Sequence, residues 1–152
     1  MAATKYTSFM GDALALADAA IAVGEVPVGA VIVRNGKIIG QGHNRTRIDH
    51  DPTAHAEIVA IRQATEFLGN DRLDECDLWV TLEPCTMCAG AIAHARIGRL
   101  YYGAEDPKGG AVDSGVRFFD SPTCHHRPDV YSGMESERSA KLLLDFFQGR
   151  RN

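Results

Sequence analysis

The chain has 152 residues, a net charge of −4 and a pI of about 5.8. Its content of 45% apolar and 24% charged residues is ordinary for a globular domain and excludes a largely disordered chain. The acidic balance speaks against nucleic-acid binding through overall charge, although it leaves a local basic patch open. No segment predicts a membrane span or a signal peptide, so we expect residues 1–152 to form a single domain in the reducing cytoplasm, with free thiols.

Hydrophobic periodicity predicts alternating helices and strands in the first half of the chain. Apolar residues recur at steps of three and four from Phe9 to Val23, which indicates an amphipathic helix. The runs VPVGAVIV and KIIGQG, joined through Asn35-Gly36, predict a β-hairpin with a tight primed turn. A second helix is predicted to end at Gly69-Asn70. Its apolar series consists of Ile58, Ile61, Thr65 and Leu68.

The second half of the chain predicts a strand, a helix and another strand in succession. LWVTL, at residues 78–82, and RLYYG, at residues 99–103, have strand length, and the alanine-rich residues 85–95 between them indicate a helix. A crossover of that length implies a parallel, right-handed pairing of the two strands. SERSAKLLLDFF predicts a last helix before Gly149. The pattern therefore favours an α/β fold with helices on both faces of a sheet.

Two cysteines three residues apart stand where the predicted strand LWVTL gives way to a helix. At this spacing Cys85 and Cys88 project to one side of a helical turn, and a helix N-terminus favours their thiolate form. Pro84 suits this position because it has no N–H to leave unsatisfied. Together with His55, at the start of the second helix, they form a nitrogen and sulfur donor set that zinc prefers, with a fourth position for water. We therefore expect one Zn²⁺ ion per subunit.

Glu57, two residues after His55, is the candidate for proton transfer. In a regular helix the two side chains would diverge by about 200°. A first turn that begins extended would instead direct both side chains into one cavity, and the sequence leaves this choice open. A carboxylate beside a metal-activated water can accept its proton and pass it on, which is general acid-base catalysis.

The same motifs have other interpretations. Cys-x-x-Cys alone is typical of structural zinc or a redox pair, and His-x-Glu alone of a solvated helix start. A structural zinc site calls for a fourth Cys or His at ligand spacing, and Cys76 and Cys124 fall outside such spacing. The combination therefore favours catalysis over the alternative from another class, a zinc-stabilised binding module without enzymatic activity.

HAE at residues 55–57 and PCTMC at residues 84–88 resemble the H-x-E…P-C-x-x-C signature of the zinc-dependent nucleoside and nucleobase deaminases. GEVPVGAVIV, HNR, DPTAHAEI, TLEPCTMCAGAI, DPKGGA and the DFF segment extend the resemblance to bacterial tRNA-specific adenosine deaminases over about residues 10–151. This resemblance implies a three-layer α/β/α cytidine-deaminase-like fold with a mixed five-stranded sheet, and a homodimer. It also implies hydrolytic deamination of adenosine to inosine at wobble position 34 of a tRNA anticodon, usually in an arginine tRNA.

Carried over residue by residue, the resemblance implies roles for the matching positions. The metal ligands are His55, Cys85 and Cys88, and Glu57 moves protons while the nucleophile attacks C6 of the flipped adenine. The implied base-binding residues are Asn44, Val28, Ala30, Ala56 and Pro84. The implied contacts to the anticodon stem-loop are Arg45, Asp106, Lys108, His126, Arg127, Phe147 and Arg150.

The chain departs from the family pattern over residues 112–127, VDSGVRFFDSPTCHHR. Basic residues in its loops can still form a local cationic rim for single-stranded RNA. The rival enzyme is a deaminase of free guanine or cytosine on the same fold. A C-terminal segment that caps the pocket would favour the free base, whereas an open pocket with a basic rim favours RNA.

Overall fold

A mixed sheet of five strands forms the centre of the protein, in a computed structural model that describes residues 7–150 apart from the side chain of Arg150. The strands are β1 Gly29–Arg34, β2 Lys37–His43, β3 Cys76–Leu82, β4 Arg99–Ala104 and β5 Asp129–Tyr131. Their order across the sheet is β2-β1-β3-β4-β5. β1 pairs antiparallel with β2 and β3, whereas β3, β4 and β5 are parallel.

Four helices cover the two faces of this sheet. They are α1 Met10–Ala22, α2 Ala56–Leu68, α3 Thr86–Ala95 and α4 Ser136–Arg150. α2 and α3 share one core with Ile32 and Val80, and α1 and α4 pack on the other face, where Trp79 and Tyr101 stack with ring centroids 3.8 Å apart. This confirms the expected three-layer α/β/α fold with a mixed five-stranded sheet. Over residues 7–150, no helix has the length and apolar content needed to cross a membrane.

The turn signals in the sequence act as predicted. The hairpin between β1 and β2 passes through Asn35 and Gly36, whose φ angles of 52° and 75° are those of a primed two-residue turn. Gly69 ends α2 with a φ of 64°. β3, α3 and β4 form the predicted crossover, and the two strands pair in parallel.

The ends of two helices differ from the prediction. α4 continues through Gly149 to Arg150, so the prediction that it ends before Gly149 is wrong. A glycine costs a helix only about 1 kcal/mol relative to alanine, which a packed helix tolerates. The apolar series attributed to α1 ends one residue too late, because Val23 follows the helix and is 51% exposed.

α2 lies very close to β2 because glycine and alanine form the contact. A Cβ atom built on Gly40 would fall 2.4 Å from the carbonyl oxygen of Ala60 and 2.9 Å from the Cβ of Ala64. The larger residues Ile58 and Ile61 of the predicted apolar series are only half-buried, while Ala60 and Ala64 are fully buried. Small residues on both surfaces therefore set the position of α2 on the sheet.

We expect Gly40→Ala to destabilise the fold by about 1–3 kcal/mol, because the added methyl overlaps the backbone of α2. The measurement is the urea midpoint of unfolding. Gly11→Ala is the matched control, since a Cβ there meets no atom within 4 Å and alanine favours α1. Equal midpoints for the two variants would contradict this packing argument.

Candidate active site

His55 and Cys85 occupy equivalent positions at the starts of two helices. His55 precedes α2 with φ −70° and ψ 156°, and Cys85 precedes α3 with φ −75° and ψ 176°. The carbonyl of His55 accepts a hydrogen bond from the N–H of Val59 at 3.0 Å, and that of Cys85 accepts one from Ala89 at 2.8 Å. Each ligand residue is therefore fixed by the first hydrogen bond of its helix, and its own backbone is extended.

The three predicted metal ligands lie together. His55 Nδ1 is 3.6 Å from Cys85 Sγ and 3.5 Å from Cys88 Sγ, and the three donor atoms lie within 4.8 Å of one another. A tetrahedral ion with Zn–S bonds of about 2.3 Å and a Zn–N bond of about 2.0 Å needs sulfur-to-nitrogen separations of about 3.5 Å. Over residues 7–150 this is the one group of three such side chains with that proximity. The donor set fits a zinc-sized divalent ion.

Hydrogen bonds stabilise a thiolate within this cluster. The hydrogen bond from Cys88 lowers the pKa of Cys85 to about 4; burial opposes the shift, and a hydrogen bond from His55 adds to it. The hydrogen bond that Cys88 donates to Cys85 raises the pKa of Cys88 far above its usual range, and burial of Cys88 adds to this shift. The hydrogen bond with Cys85 also raises the pKa of His55. A divalent ion that binds these three atoms replaces the shared protons.

A cavity of about 270 Å³ opens beside the cluster, and both His55 and Glu57 line it. The sequence left open whether His55 is helical or extended; His55 is extended before α2, and its side chain and that of Glu57 therefore face the same cavity. Glu57 is 4% exposed, and its burial raises the pKa of the carboxyl group to about 7. A group that titrates near neutrality can both accept and donate a proton. The other lining residues are Val26, Val28, Asn44, Leu82, Glu83, Cys85, Asp106 and Gly109.

The predicted base-binding residues do not all reach the cavity. Asn44 and Val28 line it, and the Asn44 Oδ1 accepts a hydrogen bond from the Ala56 N–H at 2.9 Å. The Asn44 NH₂ group is then the end left to donate to a ligand. Ala56 thus holds Asn44 in place with its main chain. Ala30 is fully buried in β1 and does not line the cavity, and the carbonyl of Pro84 accepts a hydrogen bond from the Ala111 N–H.

Three predicted RNA contacts lie in the two loops beside the cavity. Asp106 lines the cavity itself, and Lys108 is exposed in the same loop. Arg45 follows Asn44 and forms an exposed ion pair with Asp49 at 3.0 Å. These positions give the rim both cationic and anionic side chains.

The other predicted RNA contacts lie away from the cavity. His126 donates from Nε2 to the carbonyl of Ile97 at 2.7 Å, beyond the end of α3 that is remote from the ligands. Arg127 pairs with Asp120, and Phe147 is 48% exposed on α4. The side chain of Arg150 lies outside the described residues. RNA contacts by these four residues stay predictions.

Sequence reasoning missed Glu83, which lines the cavity and is only 2% exposed. Burial favours its neutral form, but hydrogen bonds from the Asp106 N–H and from Ser114 outweigh burial and lower its pKa. A signal was present, because a carboxylate at the end of an apolar strand, directly before Pro84, must find partners when it is buried. The missed lining residues also include Val26, Leu82 and Gly109.

The fold and the site together define a class, that of metal-site deaminase domains with a His-Cys-Cys cluster and a buried glutamate in one cavity. The MafB19-like deaminase family matches residues 5–151. The tRNA-specific adenosine deaminase of Agrobacterium fabrum is 61% identical over 145 residues, which cover 95% of this chain and 95% of the relative. The chain belongs to the tRNA-specific adenosine deaminase family.

Solved structures agree with this assignment. One, from biochemical and structural studies of A-to-I editing by tRNA:A34 deaminases at the wobble position of transfer RNA, is 62% identical with a TM-score of 0.88. The match covers 89% of this chain and 98% of that chain. The guanine deaminase of Bacillus subtilis is 37% identical with a lower TM-score of 0.65, over 98% of this chain and 95% of that one. The first structure is therefore more similar than the free-base enzyme in both sequence and geometry.

We expect the purified protein to contain about one zinc ion per chain and Cys88→Ser to lose most of it, because two remaining ligands hold zinc poorly. Metal content by mass spectrometry, after dialysis against a weak chelator, measures this loss. Cys124→Ser is the matched control, since Cys124 lies outside the cluster and hydrogen bonds to the His126 carbonyl. Full zinc content in Cys88→Ser would contradict the assigned ligand set.

Proposed function

We propose that this chain is a zinc-dependent enzyme that deaminates adenosine to inosine at wobble position 34 of a tRNA anticodon, with an arginine tRNA as the first candidate. The observation that carries the proposal is the meeting of the three-ligand cluster and the buried Glu57 in one open cavity. Family membership then supplies the substrate class, because the Agrobacterium relative is a tRNA-specific adenosine deaminase.

The reaction consumes water and releases ammonia. His55, Cys85 and Cys88 would hold a zinc ion, which would supply the Lewis acidity that makes water a nucleophile at neutral pH. Glu57 accepts a proton from the attacking water and delivers it to N1 of the adenine ring. A second proton transferred through Glu57 lets the C6 amino group leave as ammonia, and the base becomes hypoxanthine.

Asn44 orients the base. Its side-chain oxygen is engaged by the Ala56 N–H, so its NH₂ group remains as the donor for a purine ring nitrogen in the cavity. Val28 contributes an apolar wall next to it. The pocket therefore combines one fixed donor with an apolar surface, as expected for a flipped base.

The open mouth of the cavity favours RNA over a free base. Among the described residues, none of α4 lines the cavity, and α4 packs on the opposite face of the sheet through Leu142. A C-terminal cap, which the free-base alternative calls for, is therefore not formed by α4. Lys108 is exposed and the Arg45 side chain is 37% exposed beside the opening, where the phosphates of an anticodon loop would pass.

The proposal includes a homodimer that works in the cytoplasm, where tRNA and reduced thiols are available. Ile48, Met87 and Val116 are exposed apolar side chains in segments that flank the site, and they offer a surface for a second copy. Light scattering on the purified protein tests this part. A mass of twice 16.5 kDa supports the dimer, and a mass of 16.5 kDa contradicts it.

Glu57→Gln should keep zinc and lose tRNA deamination by about 10²–10⁴-fold, because an amide cannot accept the water proton. Inosine formation in a transcribed anticodon stem-loop, with zinc content measured on the same sample, is the readout. Glu66→Gln on the exposed face of the same helix controls for the loss of one charge. Wild-type rates in Glu57→Gln would exclude this mechanism.

We expect sequencing of total tRNA after incubation with the protein to show adenosine-to-guanosine changes confined to position 34. Ammonia release from free guanine and cytosine is assayed in parallel and should stay at background, because no described α4 residue closes the cavity over a small base. Activity on free bases alone would replace the proposed function with the nucleobase deaminase.

A further inference from the structure

Glu83 is a buried carboxylate whose hydrogen bonds all go to one loop, residues 106–114. Its Oε2 accepts from three consecutive main-chain N–H groups, those of Val112 at 3.0 Å, Asp113 at 2.9 Å and Ser114 at 2.9 Å. Its Oε1 accepts from the Asp106 N–H and from the Ser114 hydroxyl, both at 2.9 Å. Consecutive N–H groups form a concave anion site, and here a side chain of the same chain fills it.

This loop forms one wall of the catalytic cavity. Asp106 and Gly109 line the cavity, and both lie in the segment that begins at the first Glu83 contact. The middle of the loop is tied to the ligand-bearing segment, because Gly110 forms a β-bridge with Cys85 and the Ala111 N–H donates to the Pro84 carbonyl at 2.9 Å. The position of the wall therefore depends on contacts from residues 83–85.

The space around the carboxylate is filled. A Cβ atom built on Gly110 would fall 2.4 Å from Glu83 Cδ, so only glycine fits there. On the other side, Asp113 accepts a hydrogen bond from the Tyr102 hydroxyl and thereby ties the loop to β4.

We propose that Glu83 is a positioning residue, which folds residues 106–114 into the wall that contacts the substrate and so sets the affinity for the anticodon loop. This inference rests on the proposed function for its substrate. Glu83 does not serve as a second proton carrier, because both of its oxygens are occupied by donors. It is also separate from the three-residue ligand group. Its loss should therefore weaken substrate binding more than the chemical step.

The first test is Glu83→Gln, compared with Asp77→Asn at the far end of the same strand. In Glu83→Gln the new side-chain NH₂ group must face at least one main-chain N–H of the loop, which removes a hydrogen bond. Asp77, the control position, instead forms an ion pair with Arg99 at 3.3 Å. In Glu83→Gln we expect amide hydrogen exchange of Val112, Asp113 and Ser114 to accelerate about tenfold or more. The KM for an anticodon stem-loop should rise about tenfold or more, with kcat within about threefold and zinc content unchanged. Asp77→Asn should match the wild type in all four readouts.

Gly110→Ala keeps every charge and provides the second test. The added methyl displaces the Glu83 carboxylate, so loop exchange and KM should change in the same direction as in Glu83→Gln. Gly11→Ala, where a Cβ meets no atom within 4 Å, is the matched control. Agreement between this charge-neutral substitution and Glu83→Gln would show that the effect comes from the fit of Glu83 against the loop and not from the lost charge, although the methyl also meets the Asp106 carbonyl oxygen at 2.6 Å.

Two results would overturn the inference. Unchanged exchange of residues 112–114 in Glu83→Gln would show that the carboxylate does not hold the loop. Loss of zinc together with a fall in kcat at unchanged KM would show that Glu83 supports the ligands instead. Amide exchange and zinc content are measured without substrate, so they test the role of Glu83 in holding the loop even if the wild type fails to deaminate tRNA. Failure of the wild type to deaminate tRNA would count against the proposed function alone.

Discussion

The site depends on two helices, α2 and α3, which pack on the same face of the sheet and have their N-terminal ends close together. α2 and α3 each begin after an extended ligand residue, and their imidazole and thiolate donors meet at separations that suit a zinc-sized ion. Helix N-termini also favour the anionic form of a thiol. The position of α2 is in turn set by glycine in β2, where any side chain would collide with the helix backbone. A glycine with no chemical role is thus part of what brings His55 to the cysteines.

Two buried glutamates show how local hydrogen bonding assigns opposite roles to the same residue type. Glu57 and Glu83 are 4% and 2% exposed and line the same cavity. Burial dominates at Glu57 and raises its pKa to about 7, whereas five hydrogen bonds at Glu83 overcome burial and lower its pKa. The first carboxyl group can therefore exchange a proton near neutral pH, and the second stays ionised and acts as an anchor. Hydrogen-bond donors, more than depth of burial, therefore separate the pKa values of these two carboxyl groups.

The sequence predicted the features that depend on local chemistry. The hairpin turn at Asn35-Gly36 and the end of α2 at Gly69 follow from turn preferences, and the structure confirms them. The spacing of His55, Cys85 and Cys88 predicted a ligand group, and the structure brings their donor atoms together. β5 has only three residues and pairs with a strand about 30 positions earlier, so no local pattern indicated it, and only the family resemblance implied a fifth strand. The shared direction of His55 and Glu57 was open for a related reason, since it depends on the extended backbone of a single residue.

The departure of this chain from the family pattern after Ala111 has a structural explanation. Val112, Asp113 and Ser114 reach Glu83 through their main-chain N–H groups, which every residue except proline provides. The anchor therefore constrains the backbone of the loop while leaving its side chains free to vary. The loop that follows Asn44 is held in the same way, because the buried Glu25 accepts from the N–H groups of Arg47 and Ile48. Backbone-directed anchors therefore allow the side chains of these two loops to vary without moving the His-Cys-Cys cluster or Glu57.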